Sequence, residues 1–453
     1  MPSPSPTVPA TRRLAAFVRE TQWRDIPEAV RHEAKRSLLN GFATALGGCR
    51  EPAIDKSLAV QLRFSGSQSC GIVGRRERSD MLLAAYVNAM SANVFDFDDT
   101  HPATVIHPTA PVAPALFAFA ETEPRDGAAL LRAFILGGEI ECRIGNAITP
   151  YHYARGWHIT STCGVFGAAA GAGALLGLTE EQLCWAIGNA SAQAAGLVET
   201  LGTMSKSISV GNAARNGLAS ALLAAEGFSG PAAPLEGPRG FLPVYADAPR
   251  LDALFDGLGE TWEIAKNTYK PYPVGVVLNP VIEACLDMHR VGAFAVEDVA
   301  EVELTGNPFL RQRTDRPDVA TGRESQVSAQ HAIAIALRRG RAGLAEFSDA
   351  AVMETARDGI RPTVRFIDDD SCDIESVRMV VRTRQRATHT AEVVDTRGGS
   401  RKPMSDADLT DKLAMLAGYS GFAGDVAALA NAVWSLDTAS DAGAIMRICT
   451  VRR

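Results

Sequence analysis

The sequence predicts a mainly α protein: a large all-helical domain built from both chain ends, with a smaller α+β unit between them. Three observations carry this reading. Between residue 11 and about residue 230, apolar residues recur at helical spacing in segments rich in Ala and Leu, where a sheet would use Val, Ile and aromatics. Between about 265 and 401, short β-branched runs with period-two character appear. From 406 to 446 the Ala- and Leu-rich helical texture returns, so the tail is expected to pack back on the first region.

The elements follow in chain order. The chain opens MPSPSPTVPATRRLAAFVRETQW, a Pro/Ser-rich tail and then an Arg-punctuated amphipathic stretch with no secretory h-region, so a cytoplasmic protein is expected. Residues 130–145, 180–195 and 213–227 are the clearest helices; Thr179 followed by Glu180 and Glu181 is an N-terminal signal, and Gly227 a stop. CGVFGAAAGAGALLGL (163–178) is shorter than the roughly 20 apolar residues a bilayer requires and reads as a buried helix packed through its small residues. Strands are expected at 298–304, 376–383 and 390–395, separated by helical segments at 328–338 and after Ser348. The expected domains are 1–265 with 402–453, and 266–401; no period of 20 to 50 residues signals a repeat fold.

Composition removes several function classes. With 45 Lys plus Arg against 52 Asp plus Glu, the 453-residue chain carries a net charge of −7, and no strongly basic face awaits nucleic acid. Its 46% hydrophobic and 21% charged residues are those of an ordinary globular protein. The eight cysteines form no CxxC pair, so neither a zinc site nor a disulfide framework is indicated.

Four polar clusters interrupt the apolar background. FDFDDTHPATVIHP holds Asp96, Asp98, Asp99, Thr100, His101 and His107; Asp96 and Thr100 are i, i+4 neighbours if the preceding helix runs on to Pro102. Metal ligation, helix-end capping and general acid/base chemistry are all open to such residues. Tyr151, His152, Arg155, Trp157 and His158 precede the hydroxyls Thr160, Ser161 and Thr162, where a helix amino end would favour an anion. GTMSKSISVGNAARNG places Lys206 in a Gly- and Ser-rich loop before a helix bearing Arg215, and NTYKPYPVG places Lys270 in a Pro-broken turn. Taken singly, each histidine or lysine has a plain structural reading. Together they suit a cleft with cations for carboxylates and imidazoles for proton transfer. GAGALLG misses the dinucleotide spacing and follows no strand, so it reads as helix packing.

FDFDDTHPATVIHPTAPVAPAL, RGWHITSTCGVFGAAAGAGALLGL, GTMSKSISVGNAARNG with ALLAAEGFSGP, and YKPYP, in this order, resemble the MmgE/PrpD family of 2-methylcitrate dehydratase, cis-aconitate decarboxylase and iminodisuccinate epimerase. The resemblance spans most of the chain. It implies a helical domain from both chain ends with the α+β domain inserted as a lid, a homodimer, and no required metal or organic cofactor. It carries Asp96, Thr100 and His107, then His158, Lys206 and Lys270, onto active-site positions of the family. Three departures accompany it: Ser209 and Asn279 stand where relatives often have histidine, and His331 where they often have tyrosine.

These readings imply a cofactor-independent lyase, a dehydratase or decarboxylase, acting on a small di- or tricarboxylate without nucleic-acid or membrane partners. His107, His158, Asp96, Lys206 and Lys270 are its expected catalytic residues. Lys206 and Lys270 would bind carboxylates and stabilise enolate-like charge. His107 and His158 would transfer protons, Asp96 would orient an imidazole, Thr100 would hydrogen-bond substrate, and His331 would contact it from the lid. An epimerase using the same deprotonation, or a non-catalytic carboxylate-binding protein, are the alternatives.

Overall fold

The computed structural model describes residues 9–357 and 360–451. The Pro/Ser-rich start of the chain lies outside the described residues. The chain divides into two compact units, one running to Asn267 and resuming at Leu409, the other spanning Thr268–Asp408.

The first unit is built on helices α1 (Glu28–Gly48), α2 (Met81–Asn93), α3 (Thr109–Thr122), α4 (Gly127–Ile148), α5 (Ile159–Leu176), α6 (Glu180–Ser191) and α7 (Ser205–Ala225). At its centre, α5 packs against α3, α4 and α7. Its small residues explain the closeness of that packing. A Cβ added to Gly137 of α4 would lie 2.7 Å from the Gly167 carbonyl of α5, and one added to Gly217 of α7 would lie 2.4 Å from the Ala168 Cβ. By length and composition α5 resembles a membrane span, yet 89% of it is buried against the protein's own helices.

Helix boundaries follow local chemistry. Asp126 accepts from the Ala129 amide at 2.8 Å to start α4, and Thr179 and Gln182 form a reciprocal capping box at the start of α6. Two boundaries differ from expectation. α7 begins at Ser205, which places Lys206 in the first turn of a helix rather than in a loop. Ser and Gly are weak helix formers, but α7 is held by tertiary packing: a Cβ on Gly211 would meet the Tyr86 ring and the Met90 side chain of α2 at 2.7 and 2.8 Å. α2 ends at Asn93, well short of Pro102, so Asp96 and Thr100 do not share a helical face. A short antiparallel pair, Cys70–Gly71 with Arg78–Ser79, also interrupts the region expected to be all helical.

The C-terminal helices Val426–Trp434 and Ala444–Cys449 return to the first unit. There the Gly74 amide donates to the Cys449 carbonyl at 2.8 Å and the Val451 amide to the Arg75 carbonyl at 2.9 Å.

The second unit contains a four-stranded mixed sheet of β1 (Val299–Gly306), β2 (Val364–Asp368), β3 (Val377–Thr383) and β4 (Thr388–Val393), in the order β2-β1-β3-β4. Only the β1–β2 pair is parallel. Val302, Leu304, Val377, Met379 and Val381 form its core with helices α8 (Asn279–Arg290) and α9 (Ala329–Arg339). β2, in VRFID, was missed by the sequence reading; it is short and largely exposed along its length.

Candidate functional site

Three pieces of the first unit meet at the polar clusters: the segment between α2 and α3, the amino end of α5, and the first turn of α7. Each piece is fixed by its own bonds. Asn93 Nδ2 at the end of α2 donates to Asp98 Oδ2 at 2.7 Å. Lys412 Nζ donates to the Phe97 carbonyl at 2.8 Å, and Asp99 Oδ2 accepts from Thr109 Oγ1 at 2.7 Å and Asn267 Nδ2 at 2.8 Å. With Phe97, Asp98 and Asp99 anchored, Asp96 takes the left-handed conformation at φ +56° and remains the more open carboxylate, its side chain 41% exposed. A short polar side chain tolerates that conformation best.

Asp96 Oδ1 lies 2.6 Å from Lys206 Nζ and 3.4 Å from His107 Nε2. The Lys206 side chain is only 2% exposed. His107 Nδ1 is 2.7 Å from the Asp99 carbonyl oxygen, which can only accept, so this nitrogen carries a proton and Nε2 faces Asp96. Thr100 Oγ1 and Asp98 Oδ1 lie 3.4 Å from the same Nδ1. The His107 amide donates to Thr160 Oγ1 at 3.2 Å, linking the loop to α5. Before His107, the turn at 101–106 places β-branched Val105 at φ +57°, an uncommon backbone state. His101 holds that turn through Thr104 at 2.8 Å and Glu263 at 3.0 Å.

His158 is the N-cap residue of α5. Its amide donates to the Gly196 carbonyl at 3.0 Å, and its carbonyl accepts from the Ser161 hydroxyl at 2.9 Å. The Ser161 and Thr162 hydroxyls thus turn back onto the His158 carbonyl, and Thr160 Oγ1 is taken by the His107 amide, so these hydroxyls do not present an open anion site. Nδ1 of His158 sits 3.1 Å from Ser209 Oγ. Burial, and next the Lys206 charge, push its pKa down to about 3, so the imidazole is neutral at pH 7.

Asp96, Thr100, His107, His158 and Lys206 thus lie in one unit, whereas Lys270 and His331 belong to the second. Lys270 is buried there, at 6% exposure. His331 requires a correction. It is fully enclosed, with Nδ1 2.8 Å from Thr355 Oγ1 and Nε2 2.8 Å from the Glu346 carbonyl, so both ring nitrogens are committed to internal bonds and no substrate contact is assigned to it. His152 is likewise enclosed, 2.7 Å from Thr162 Oγ1.

Asp96, Asp98 and His107 each offer one potential metal-ligating atom within 4.8 Å of the others. The Lys206 ammonium already neutralises Asp96, and Asn93 Nδ2 and the Asp99 carbonyl hold the other two groups. Lys206 on Asp96 disfavours a cation there, whereas Asp98 Oδ1 is buried with no hydrogen-bond partner among the described residues.

The sequence reading placed Asp99 in this cluster but missed the buried carboxyl of Glu141 behind it. Burial and the neighbouring Asp98 push Asp99 up to about 7. Glu141 of α4 is wholly buried, neither carboxyl oxygen has a hydrogen-bond partner among the described residues, and burial with the Asp99 charge raises its pKa well above the ordinary 4.5. The available signal was an acidic residue inside the otherwise apolar pattern of ILGGEIECRIG.

The MmgE/PrpD N-terminal domain is matched over residues 12–253 and the MmgE/PrpD C-terminal domain over 272–438. The cis-aconitate decarboxylase-like protein oryM of Aspergillus oryzae is 27% identical, over 97% of this chain and 96% of its own length. A cis-aconitate decarboxylase of Aspergillus terreus is 33% identical over 59% of this chain and 57% of its own length. The human cis-aconitate decarboxylase is 26% identical over 89% and 86%.

Proposed function

The chain belongs to the MmgE/PrpD family, and from that premise we propose that it is a lyase working without a cofactor on a small tricarboxylate of the cis-aconitate type, releasing carbon dioxide. The observation that carries the reading is the buried Lys206 ammonium held 2.6 Å from Asp96, with His107 on the same carboxylate. The names of the relatives favour decarboxylation over dehydration.

In the proposed reaction the C–CO2⁻ bond breaks and its electron pair passes into the remaining unsaturated skeleton, spreading onto a carboxylate as enolate-like charge. Lys206, positioned by Asp96, stabilises that charge in a water-poor setting. A proton from His107 then quenches the carbanion, the neutral His158 serving as an acceptor, so one carbon dioxide leaves and one proton is taken up. Thr100 hydrogen-bonds substrate. Lys270 is assigned a second substrate carboxylate on the YKPYP resemblance alone.

A mass-spectrometric screen of the purified protein against cis-aconitate, citrate-like acids and substituted succinates tests the proposal. The expected product of cis-aconitate is an unsaturated dicarboxylate plus carbon dioxide, with His158→Ala and Lys206→Ala lowering turnover by about 10²- to 10⁴-fold. Turnover near wild type in the folded variants would remove these roles. Deuterium wash-in with the carbon skeleton retained would replace the lyase by an epimerase, and tight binding without conversion of any acid would replace it by a carboxylate-binding protein.

A further inference from the structure

We propose that Ser209 is a positioning residue that fixes His158 as the Nδ1–H tautomer, leaving Nε2 as its proton-accepting nitrogen. Two distances carry the argument. Ser209 Oγ lies 2.8 Å from the Lys206 carbonyl oxygen in the first turn of α7 and 3.1 Å from His158 Nδ1. A serine hydroxyl has one proton and two lone pairs, whereas a carbonyl oxygen only accepts. The shorter contact therefore takes the hydroxyl proton. Toward His158 the serine has only lone pairs to offer, so Nδ1 must be the donor.

The setting makes this choice consequential. His158 is 3% exposed, so water does not readily exchange one tautomer for the other. Its backbone is clamped at both ends, by the amide bond to Gly196 and by the Ser161 hydroxyl on its carbonyl. Gly196 is required for the clamp: at φ +138° any Cβ there would fall 2.0 Å from Ser161 Oγ and 3.2 Å from the Ser209 Cβ. Ser209 is also on the turn that carries Lys206, so the groups that orient the imidazole and the proposed carboxylate-binding cation are coupled through the Lys206 carbonyl. A neutral imidazole supplies one donor and one acceptor, and fixing which is which decides whether His158 accepts or gives a proton first. The catalytic consequence rests on the proposed lyase reading; the tautomer itself does not.

The test is therefore direct. In wild-type protein carrying ¹⁵N-labelled histidine, with the His158 signals identified by comparison with His158→Gln, long-range proton–nitrogen correlation spectra are expected to show the proton on Nδ1. Ser209→Ala should move the proton to Nε2 or populate both forms, and Ser209→Thr, which keeps the hydroxyl, should restore the wild-type pattern. A proton on Nε2 in wild type, or an unchanged pattern in Ser209→Ala, overturns the inference. With an acid that the wild-type protein turns over, Ser209→Ala should lower kcat about 10-fold or more with KM little changed, and Ser209→Thr should recover it; a loss confined to KM also overturns it. Absence of turnover with every acid would instead overturn the lyase reading and leave the tautomer assignment standing.

Discussion

Glu141 gives a prediction whose magnitude follows from counting one proton. The carboxyl is fully buried, has no hydrogen-bond partner for either oxygen among the described residues, and packs against α5, where a Cβ on Gly164 would lie 3.1 Å from Oε2. Burial is the main cause of its raised pKa, the Asp99 charge the second, and its presence in turn raises the buried Cys142 and Cys163 thiols. Because the folded-state value lies above the unfolded one, its contribution to stability is complete below about pH 4.5 and declines as pH rises toward the folded value. Above about pH 4.5 the unfolded chain releases this proton, while burial favours its retention in the native state. Wherever the native state still holds that proton, the free energy of unfolding loses about 1.36 kcal/mol per pH unit. Glu141→Gln is nearly isosteric and cannot ionise. Its amide carries a burial cost of its own, but that cost does not change with pH. Urea unfolding of both proteins from about pH 5 upward should show the variant gaining stability relative to wild type as pH rises, by up to about 1.36 kcal/mol per pH unit, with groups such as Asp99 titrating in both. A difference that stays constant or shrinks as pH rises would refute the assignment of a buried, protonated Glu141.

Gly196→Ala should destabilise the protein by about 2 kcal/mol or more and lower its Tm, because the added Cβ enters the Ser161 hydroxyl at a backbone angle that suits glycine; a Tm equal to wild type would contradict this. His331→Ala should cost about 2–4 kcal/mol by stripping partners from buried Thr355 and the Glu346 carbonyl, while leaving KM unchanged. A raised KM at unchanged Tm would return His331 to a substrate role. Exhaustive treatment with a metal chelator should leave turnover intact, since Lys206 already compensates Asp96; activity lost on chelation and regained with a divalent cation would make the Asp96, Asp98 and His107 group a metal site.

Sequence alone determined the helical character, the change to period-two strands after about 265, and which motifs carry the likeness to the family. Those properties are local. A capping box at Thr179 and alternating β-branched residues in SVRMVVRT are set by neighbours within a few positions, which is why Glu180–Ser191 and Val377–Thr383 lie close to where they were expected. The tertiary structure decided the features that depend on distant partners. α7 extends through Ser205 and Lys206 because Gly211 lets it press on α2, a contact invisible to helix propensity. His158 and His331 are both histidines close to a helix start, yet one meets Ser209 and Lys206 while the other is locked between Thr355 and Glu346. Which nitrogen carries a proton, which carboxyl stays neutral and which lysine is held beside a carboxylate depend on burial and on atoms as far apart in sequence as Asp96 and Lys206. Electrostatics in a low-dielectric interior acts through space, and a sequence pattern records only separation along the chain.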